Sequence, residues 1–142
     1  ALLVGAARAR HRADPALPAL EAGKTVLCDR YLFSSFAYQG YGRGLPRRFL
    51  LDINSYAVGR CMPDVALFLD IPPARAFERK HGADRDDRIE QAGADFHDRV
   101  YAGYCRLAEE YPDTIVRVDC SGTKFETKDK IVRLLRARGL IG

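Results

Sequence analysis

Three short apolar runs, each ending in an aspartate, alternate with longer stretches that have helical patterning. The runs cover residues 25–29, 65–70 and 115–119, and their Val, Leu and Ile content is typical of strands buried on both faces. Helices are predicted at residues 1–22 with a bend near Pro15 and Pro18, and at 31–41, 46–57, 72–82, 95–110 and 125–138. This alternation predicts an α/β fold with a parallel sheet.

The predicted sheet is thin. Parallel strands are normally covered on both faces and belong to larger sheets than three strands. No internal repeat and no linker divides the 142 residues, so we expect one domain over residues 1–142. The pattern therefore predicts an incomplete α/β layer structure.

Composition narrows the function classes only slightly. The net charge is +4, from 23 Lys and Arg against 19 Asp and Glu. Most of the cations are arginine, which favours bidentate contacts to phosphate or carboxylate, although a genome that prefers Arg codons is an equal explanation. No apolar run approaches the roughly 18 residues of a membrane span. We expect a cytoplasmic protein that binds neither membrane nor nucleic acid.

Asp29 and Arg30 come directly after the first predicted strand. The carboxyl end of a buried strand is where open α/β sheets bind ligands. There Asp29 can hold a metal ion or its water, and Arg30 can bind a phosphate through two N–H groups. The alternative interpretation is a salt bridge at the strand end.

The segment that follows is more specific than an acid and an arginine. Residues 29–40 read DRYLFSSFAYQG, and residues 42–44 read GRG. This segment resembles the DRY/SSxAYQG signature of thymidylate kinases. The resemblance continues through Met62-Pro63-Asp64 and Asp87-Arg88-Ile89-Glu90 to the last predicted strand and helix. It covers essentially the whole chain.

The resemblance implies a three-layer, P-loop-kinase-like α/β fold, in which a parallel sheet is flanked by helices. It also implies transfer of the ATP γ-phosphoryl group to dTMP, giving dTDP, with ATP as co-substrate, Mg²⁺ as cofactor and a homodimeric assembly. By position, Arg30 would contact the acceptor phosphate and the transferring group, Asp29 would organise Mg²⁺, and Arg8 would contact the acceptor phosphate. The nucleoside pocket would be lined by Ser34 or Ser35, Tyr38 and Gln39.

Residues 79–88 resemble the lid of that family, whose cations would close over the ATP phosphates. Arg85 and Arg79 are the candidate catalytic cations of this lid. Asp87 and Glu90 match the family pattern either as site contacts or as structural pairs. Dense mixed charge is equally typical of an exposed loop.

Two departures from the family pattern leave alternatives open. Val4 stands where the family has a phenylalanine that stacks on thymine, and valine cannot stack in that way. A kinase for another deoxynucleoside monophosphate is therefore one alternative.

The 142 residues also contain no GxxxxGK[ST] run, the loop whose amides cradle ATP phosphates. We expect that the first two βα units are absent and that this chain alone is inactive. A non-catalytic nucleotide-binding or dimerisation module is the other alternative.

Overall fold

The computed structural model describes residues 1–79 and 93–142 of the chain. Its elements are α1 (Leu2–His11), α2 (Leu17–Glu21), α3 (Leu32–Ser35), α4 (Arg47–Val58), β1 (Ala66–Asp70), α5 (Pro73–Arg79), α6 (Ala94–Glu110), β2 (Ile115–Asp119) and α7 (Lys124–Ala137). π-helical turns continue α1 over Arg12–Ala16 and α3 over Phe36–Gly42. The predicted helices are therefore confirmed, except that the end of the helix predicted at 72–82 lies outside the described residues. Among the described helices, none is both long and apolar enough to cross a membrane.

The two strands form a parallel ladder. Ala66 pairs with Ile115, and the register runs through to Asp70 opposite Asp119. Helices lie on the connection between the strands, as a parallel pair requires. The α/β prediction is thus confirmed, and both strands end in an aspartate at the same edge of the sheet.

The prediction of a strand at residues 25–29 is wrong, because the described structure has no strand there. This segment has no regular secondary structure and belongs to no ladder, and the sheet of the described residues contains β1 and β2 rather than three strands. Leu27 is 94% exposed. A strand is held by a neighbour that accepts and donates its backbone hydrogen bonds. The apolar pattern indicates that a run can be buried, but it does not supply that neighbour.

The core forms where α6 packs on residues 32–42. The buried residues of α6 include Phe96, Val100, Gly103 and Leu107, spaced so that they lie on one face of the helix. Their partners in the core include Leu32, Phe33, Phe36, Ala37, Leu50, Val58 and Ile115. Because residues 32–42 also carry the predicted binding side chains, this packing determines where those side chains lie.

A glycine allows α6 to approach this segment closely. A Cβ atom added to Gly103 would lie 2.7 Å from three atoms of the Tyr41 side chain. Such a distance is shorter than a normal carbon–carbon contact, and Tyr41 itself packs against the core. The position therefore accepts no side chain unless the two elements separate.

We predict that Gly103→Ala lowers the free energy of unfolding by about 1–3 kcal/mol, the usual effect of overpacking. The measurement is urea denaturation of the complete gene product that contains this chain. Ala102→Ser, at an exposed position of the same helix, is the matched control and should change stability by less than about 0.5 kcal/mol. Equal stability of the two variants would show that the contact is not tight.

Candidate functional site

Arg30 has an unusual backbone conformation. Its φ is +58°, the left-handed region, which among the described residues is otherwise occupied by glycines. A non-glycine residue there costs about 1–3 kcal/mol and is found preferentially at functional sites. The turn lets α3 begin at Leu32. It leaves the exposed Arg30 with its guanidinium carbon 4.9 Å from the centre of the Tyr38 ring.

Tyr38 belongs to a group of aromatic and hydroxyl side chains. Its ring meets the ring of Tyr104 edge to face, with centroids 6.4 Å apart. The Tyr104 hydroxyl lies 2.8 Å from the hydroxyl of Ser34. We call Arg30, Ser34, Tyr38 and Tyr104 the signature cluster. Three of its members were predicted as site residues, and the structure brings them together.

Tyr104 lies in the helix predicted at residues 95–110, and the sequence does not predict it as a site residue. Its hydroxyl group is enclosed by the signature cluster, and this burial raises its pKa, although the hydrogen bond to Ser34 acts in the opposite direction. The phenol is therefore neutral near pH 7 and can donate a hydrogen bond. Only the fold reveals this contact, because Ser34 and Tyr104 are 70 residues apart.

Arg8 and Ser35 lie together in a second, buried network. Arg8 is 9% exposed, and its guanidinium donates to the Asn54 side-chain oxygen, to the Tyr31 carbonyl at 3.2 Å and to the Ser35 hydroxyl at 2.9 Å. Removal from water lowers the pKa of Arg8, but an arginine stays charged at neutral pH in any case. Arg8 is therefore not a solvated cation on an exposed helix face.

Asn54 was missed by sequence reasoning. It lies on the buried face of α4, one turn after Leu50, and its amide donates to the Leu50 carbonyl at 2.7 Å. Its side-chain oxygen is then directed to the Arg8 guanidinium. An asparagine within a helix gives no sequence signal that distinguishes this arrangement from an exposed polar position.

Asp29 and Gln39 are the remaining predicted residues of this region. Asp29 is exposed beside Arg30, and Gln39 is half-buried, with its backbone carbonyl accepting from Leu45 N–H at 2.9 Å. No group of three or more His, Cys, Asp or Glu side chains suited to a metal ion occurs among the described residues. Mg²⁺ often binds through one or two carboxylates while keeping waters and substrate phosphates. A single exposed carboxylate at Asp29 fits that ion.

Arg79 is engaged by the protein itself. Its guanidinium donates to the carbonyls of Cys120 at 2.7 Å, Ser121 at 2.5 Å and Gly122 at 3.0 Å. These contacts tie the end of α5 to the loop after β2. The other predicted lid residues, Arg85, Asp87 and Glu90, lie outside the described residues.

A cavity of about 290 Å³ lies at the carboxyl edge of the sheet. It is lined by Asp70, Ile71, Pro72, Arg75, Arg79, Tyr101, Asp119 and Ser121. Asp70 accepts from the Tyr101 hydroxyl at 2.8 Å and from Arg117 Nη2 at 2.7 Å. The hydrogen bond to Asp70 is the main cause that raises the pKa of Tyr101 to about 12. The sequence showed the aspartate at each strand end but not the cavity between them.

We predict that Asn54→Ala lowers the free energy of unfolding by about 1–3 kcal/mol, because it removes one of the three acceptors of the buried Arg8 guanidinium. Urea denaturation measures the change. Ser55→Ala removes the neighbouring exposed hydroxyl, which donates to the Asp52 carbonyl at 2.9 Å, and should cost less than about 0.5 kcal/mol. If both variants lose the same amount, Asn54 does not support Arg8.

We also predict an alkaline transition of Tyr101. A tyrosine whose pKa is higher in the folded than in the unfolded state stabilises the fold below its unfolded pKa of about 10. That contribution is lost as the pH rises through about 12, the folded value. In an ultraviolet titration of tyrosinate, Tyr101→Phe should remove the transition at highest pH. The control Tyr56→Phe, whose residue is 87% exposed, should leave that transition in place.

Comparisons with known proteins agree with the pattern of residues 29–44. A family model described as Thymidylate kinase matches residues 1–131. The thymidylate kinase of Finegoldia magna is 38% identical over 141 residues, which is 99% of this chain and 69% of that protein. Those of Halalkalibacterium halodurans and Limosilactobacillus fermentum are 39% and 44% identical over 140 residues, covering 97% of this chain and 67% and 65% of those proteins. The chain thus spans about two thirds of the length of these relatives. It belongs to the thymidylate kinase family.

Proposed function

We propose that the protein containing this chain transfers the γ-phosphoryl group of ATP to dTMP, giving dTDP. The observation that carries this proposal is the exposed guanidinium of Arg30, whose carbon lies 4.9 Å from the centre of the Tyr38 ring. The Tyr38 ring contacts Tyr104, and the Tyr104 hydroxyl lies 2.8 Å from the Ser34 hydroxyl. A cation, a hydroxyl and an aromatic ring in one place match the three parts of a nucleotide: phosphate, sugar and base. The relatives named thymidylate kinase support the choice of dTMP as acceptor.

Arg30 supplies the fixed positive charge in this proposal. During phosphoryl transfer, negative charge spreads over three oxygens, and catalysis consists mainly of positioning and electrostatic stabilisation. The Tyr38 ring lies against the Arg30 guanidinium. The N–H groups around the edge of the guanidinium are suited to bind phosphate oxygens. The left-handed backbone at Arg30 limits where that charge can go.

Arg8 has a mainly supporting role in the proposal. It donates three hydrogen bonds to Asn54, Tyr31 and Ser35, so two of its five N–H groups are left to reach an acceptor phosphate. Through Tyr31 and Ser35 it also anchors the segment that carries Arg30 and Tyr38. Ser34, Tyr38 and Gln39 then line the nucleoside pocket, with Ser35 as part of the buried support.

Asp29 would hold Mg²⁺, directly or through water, and the ion would neutralise charge on the ATP phosphates. Arg85 and Arg79 would act as lid cations. For Arg79 this requires exchange of its carbonyl partners at residues 120–122 for phosphate oxygens. Asp87 and Glu90 remain candidates for site contacts or structural pairs.

A larger P-loop-kinase-like sheet flanked by helices is also part of the proposal. Support comes from the apolar segment at residues 25–29, in which Leu27 is 94% exposed and which has no ladder among the described residues. A strand between this segment and β1 would supply the missing pairing, and a glycine-rich loop after it would cradle ATP. A homodimer and a cytoplasmic location complete the proposal.

Val4 favours a second candidate, a kinase for another deoxynucleoside monophosphate. It lies one turn before Arg8 on α1 and is 43% exposed, so an aliphatic side chain occupies the position of the family's stacking aromatic. Valine provides apolar contact but cannot stack on a base as an aromatic ring can. Rates with dTMP, dUMP, dCMP and dGMP on the complete gene product separate the two candidates.

We predict that Arg30→Ala lowers kcat for dTMP phosphorylation by about 10²–10³-fold, as expected when a fixed transition-state donor is lost. The assay follows dTDP formation from ATP by the complete gene product. Arg48→Gln, which removes an exposed cation paired with Asp52, is the control and should keep full activity. Loss of activity in both variants would indicate that net charge, and not the position of Arg30, is what matters.

The same assay on residues 1–142 alone tests the donor half of the proposal. This chain lacks a glycine-rich phosphate loop, so we expect no turnover. Robust turnover would contradict the proposed ATP site. Calorimetric binding of dTMP without turnover by the complete gene product would favour the non-catalytic nucleotide-binding module.

A further inference from the structure

Tyr104 connects the signature cluster to the sheet. Its ring is stacked on the ring of Phe68, with centroids 5.1 Å apart and an interplanar angle of 18°. Phe68 is the central residue of β1, where it pairs with Arg117 of β2. The position of the Tyr104 ring is therefore set by the strand pair, which is held by backbone hydrogen bonds.

Tyr104 also limits the position of Tyr38. The Tyr38 ring meets Tyr104 edge to face at an interplanar angle of 79°, and it meets Phe96 in a similar way at 62°, with centroids 6.0 Å apart. Edge-to-face pairs of this kind are directional. Two rings of α6 thus determine the orientation of the ring that lies under Arg30.

The Tyr104 hydroxyl makes an independent contact with the same segment. It lies 2.8 Å from the Ser34 hydroxyl, and Ser34 precedes Tyr38 by four residues. Residues at this spacing lie on one face of a helix. A single side chain of α6 therefore touches both residues of this face that belong to the proposed acceptor site.

We propose that Tyr104 is a positioning residue of the acceptor site. Its hydroxyl holds Ser34, and its ring holds the Tyr38 ring on which the Arg30 guanidinium lies. This inference rests on the proposed function. Tyr104 acts through its neighbours and not on the reacting atoms. Its two contacts have separable effects: the hydroxyl fixes Ser34 for nucleoside binding, while the ring fixes the cation for the chemical step.

Because the hydroxyl and the ring have different roles, loss of the hydroxyl should change mainly KM, and loss of the ring should also change kcat. Tyr104→Phe keeps the ring and removes the hydroxyl, so KM for dTMP should rise about three- to tenfold, the range for one neutral hydrogen bond, with kcat nearly unchanged. Tyr104→Leu also removes the ring, and kcat should then fall about ten- to a hundredfold, because a small misplacement of a catalytic group is costly. Both are measured on the complete gene product with saturating ATP, and circular dichroism confirms folding.

A double-mutant cycle tests the pairing with Ser34. Ser34→Ala should raise KM at least as much as Tyr104→Phe does, because it removes a residue of the proposed nucleoside pocket as well as the hydrogen bond. The double variant should resemble Ser34→Ala, because Tyr104→Phe removes only the hydrogen bond that is already lost. A purely structural role of Tyr104 would not give this non-additivity. The control is Tyr111→Phe, which removes a tyrosine hydroxyl that accepts from Arg47 at 3.2 Å and should leave KM for dTMP unchanged.

The outcomes distinguish this inference from the proposed function. A wild-type protein that does not phosphorylate dTMP refutes the function. An active wild type in which Tyr104→Phe leaves KM unchanged, or in which the two single effects multiply, refutes only the role of Tyr104. If Tyr104→Leu does not fold, Tyr104→Phe and its cycle with Ser34→Ala still decide the matter.

Discussion

The close contact between α6 and residues 36–42 determines the geometry of the described structure. Two glycines permit it from opposite sides: Gly103 faces Tyr41, and Gly42 faces Phe96 and Val100, where an added Cβ would lie 2.7 and 2.8 Å from their side chains. At this separation, the Phe96 and Tyr104 rings of α6 contact the Tyr38 ring, and the Tyr104 hydroxyl contacts Ser34. A larger separation would leave the same residues present but unconnected. The site is thus a consequence of helix packing as much as of its own residues.

The arginines of this chain divide according to what they bind. Arg8 and Arg79 donate to oxygens of the protein, and each joins segments that are distant in sequence. Arg30 instead rests on an aromatic ring and is exposed. The buried guanidinium of Arg8 needs several acceptors to offset the loss of hydration, and the exposed Arg79 is occupied by three carbonyls. A ligand-binding cation must instead keep donors available. Composition alone could not separate these roles, because the residue type is the same in each.

The sequence could predict the helices, two strands and the family, since these depend on local periodicity and on a contiguous motif. It could not predict that residues 25–29 lack a ladder, because pairing depends on a neighbour that the pattern does not name. It also gave Asn54 and Tyr104 no special role. Asn54 is a polar residue on a mostly apolar face, and Tyr104 has the spacing of an ordinary core residue. Their functions depend on contacts with Arg8 and Ser34 that form only in the folded chain.

The distance of 70 residues between Ser34 and Tyr104 has a consequence for folding order. Contacts between remote segments form late, since a long loop must close before they contribute. A nascent chain would therefore contain the complete signature run well before α6 is synthesised and docked. The contact between Ser34 and Tyr104 can form only after that docking, so the proposed acceptor site is completed late in folding.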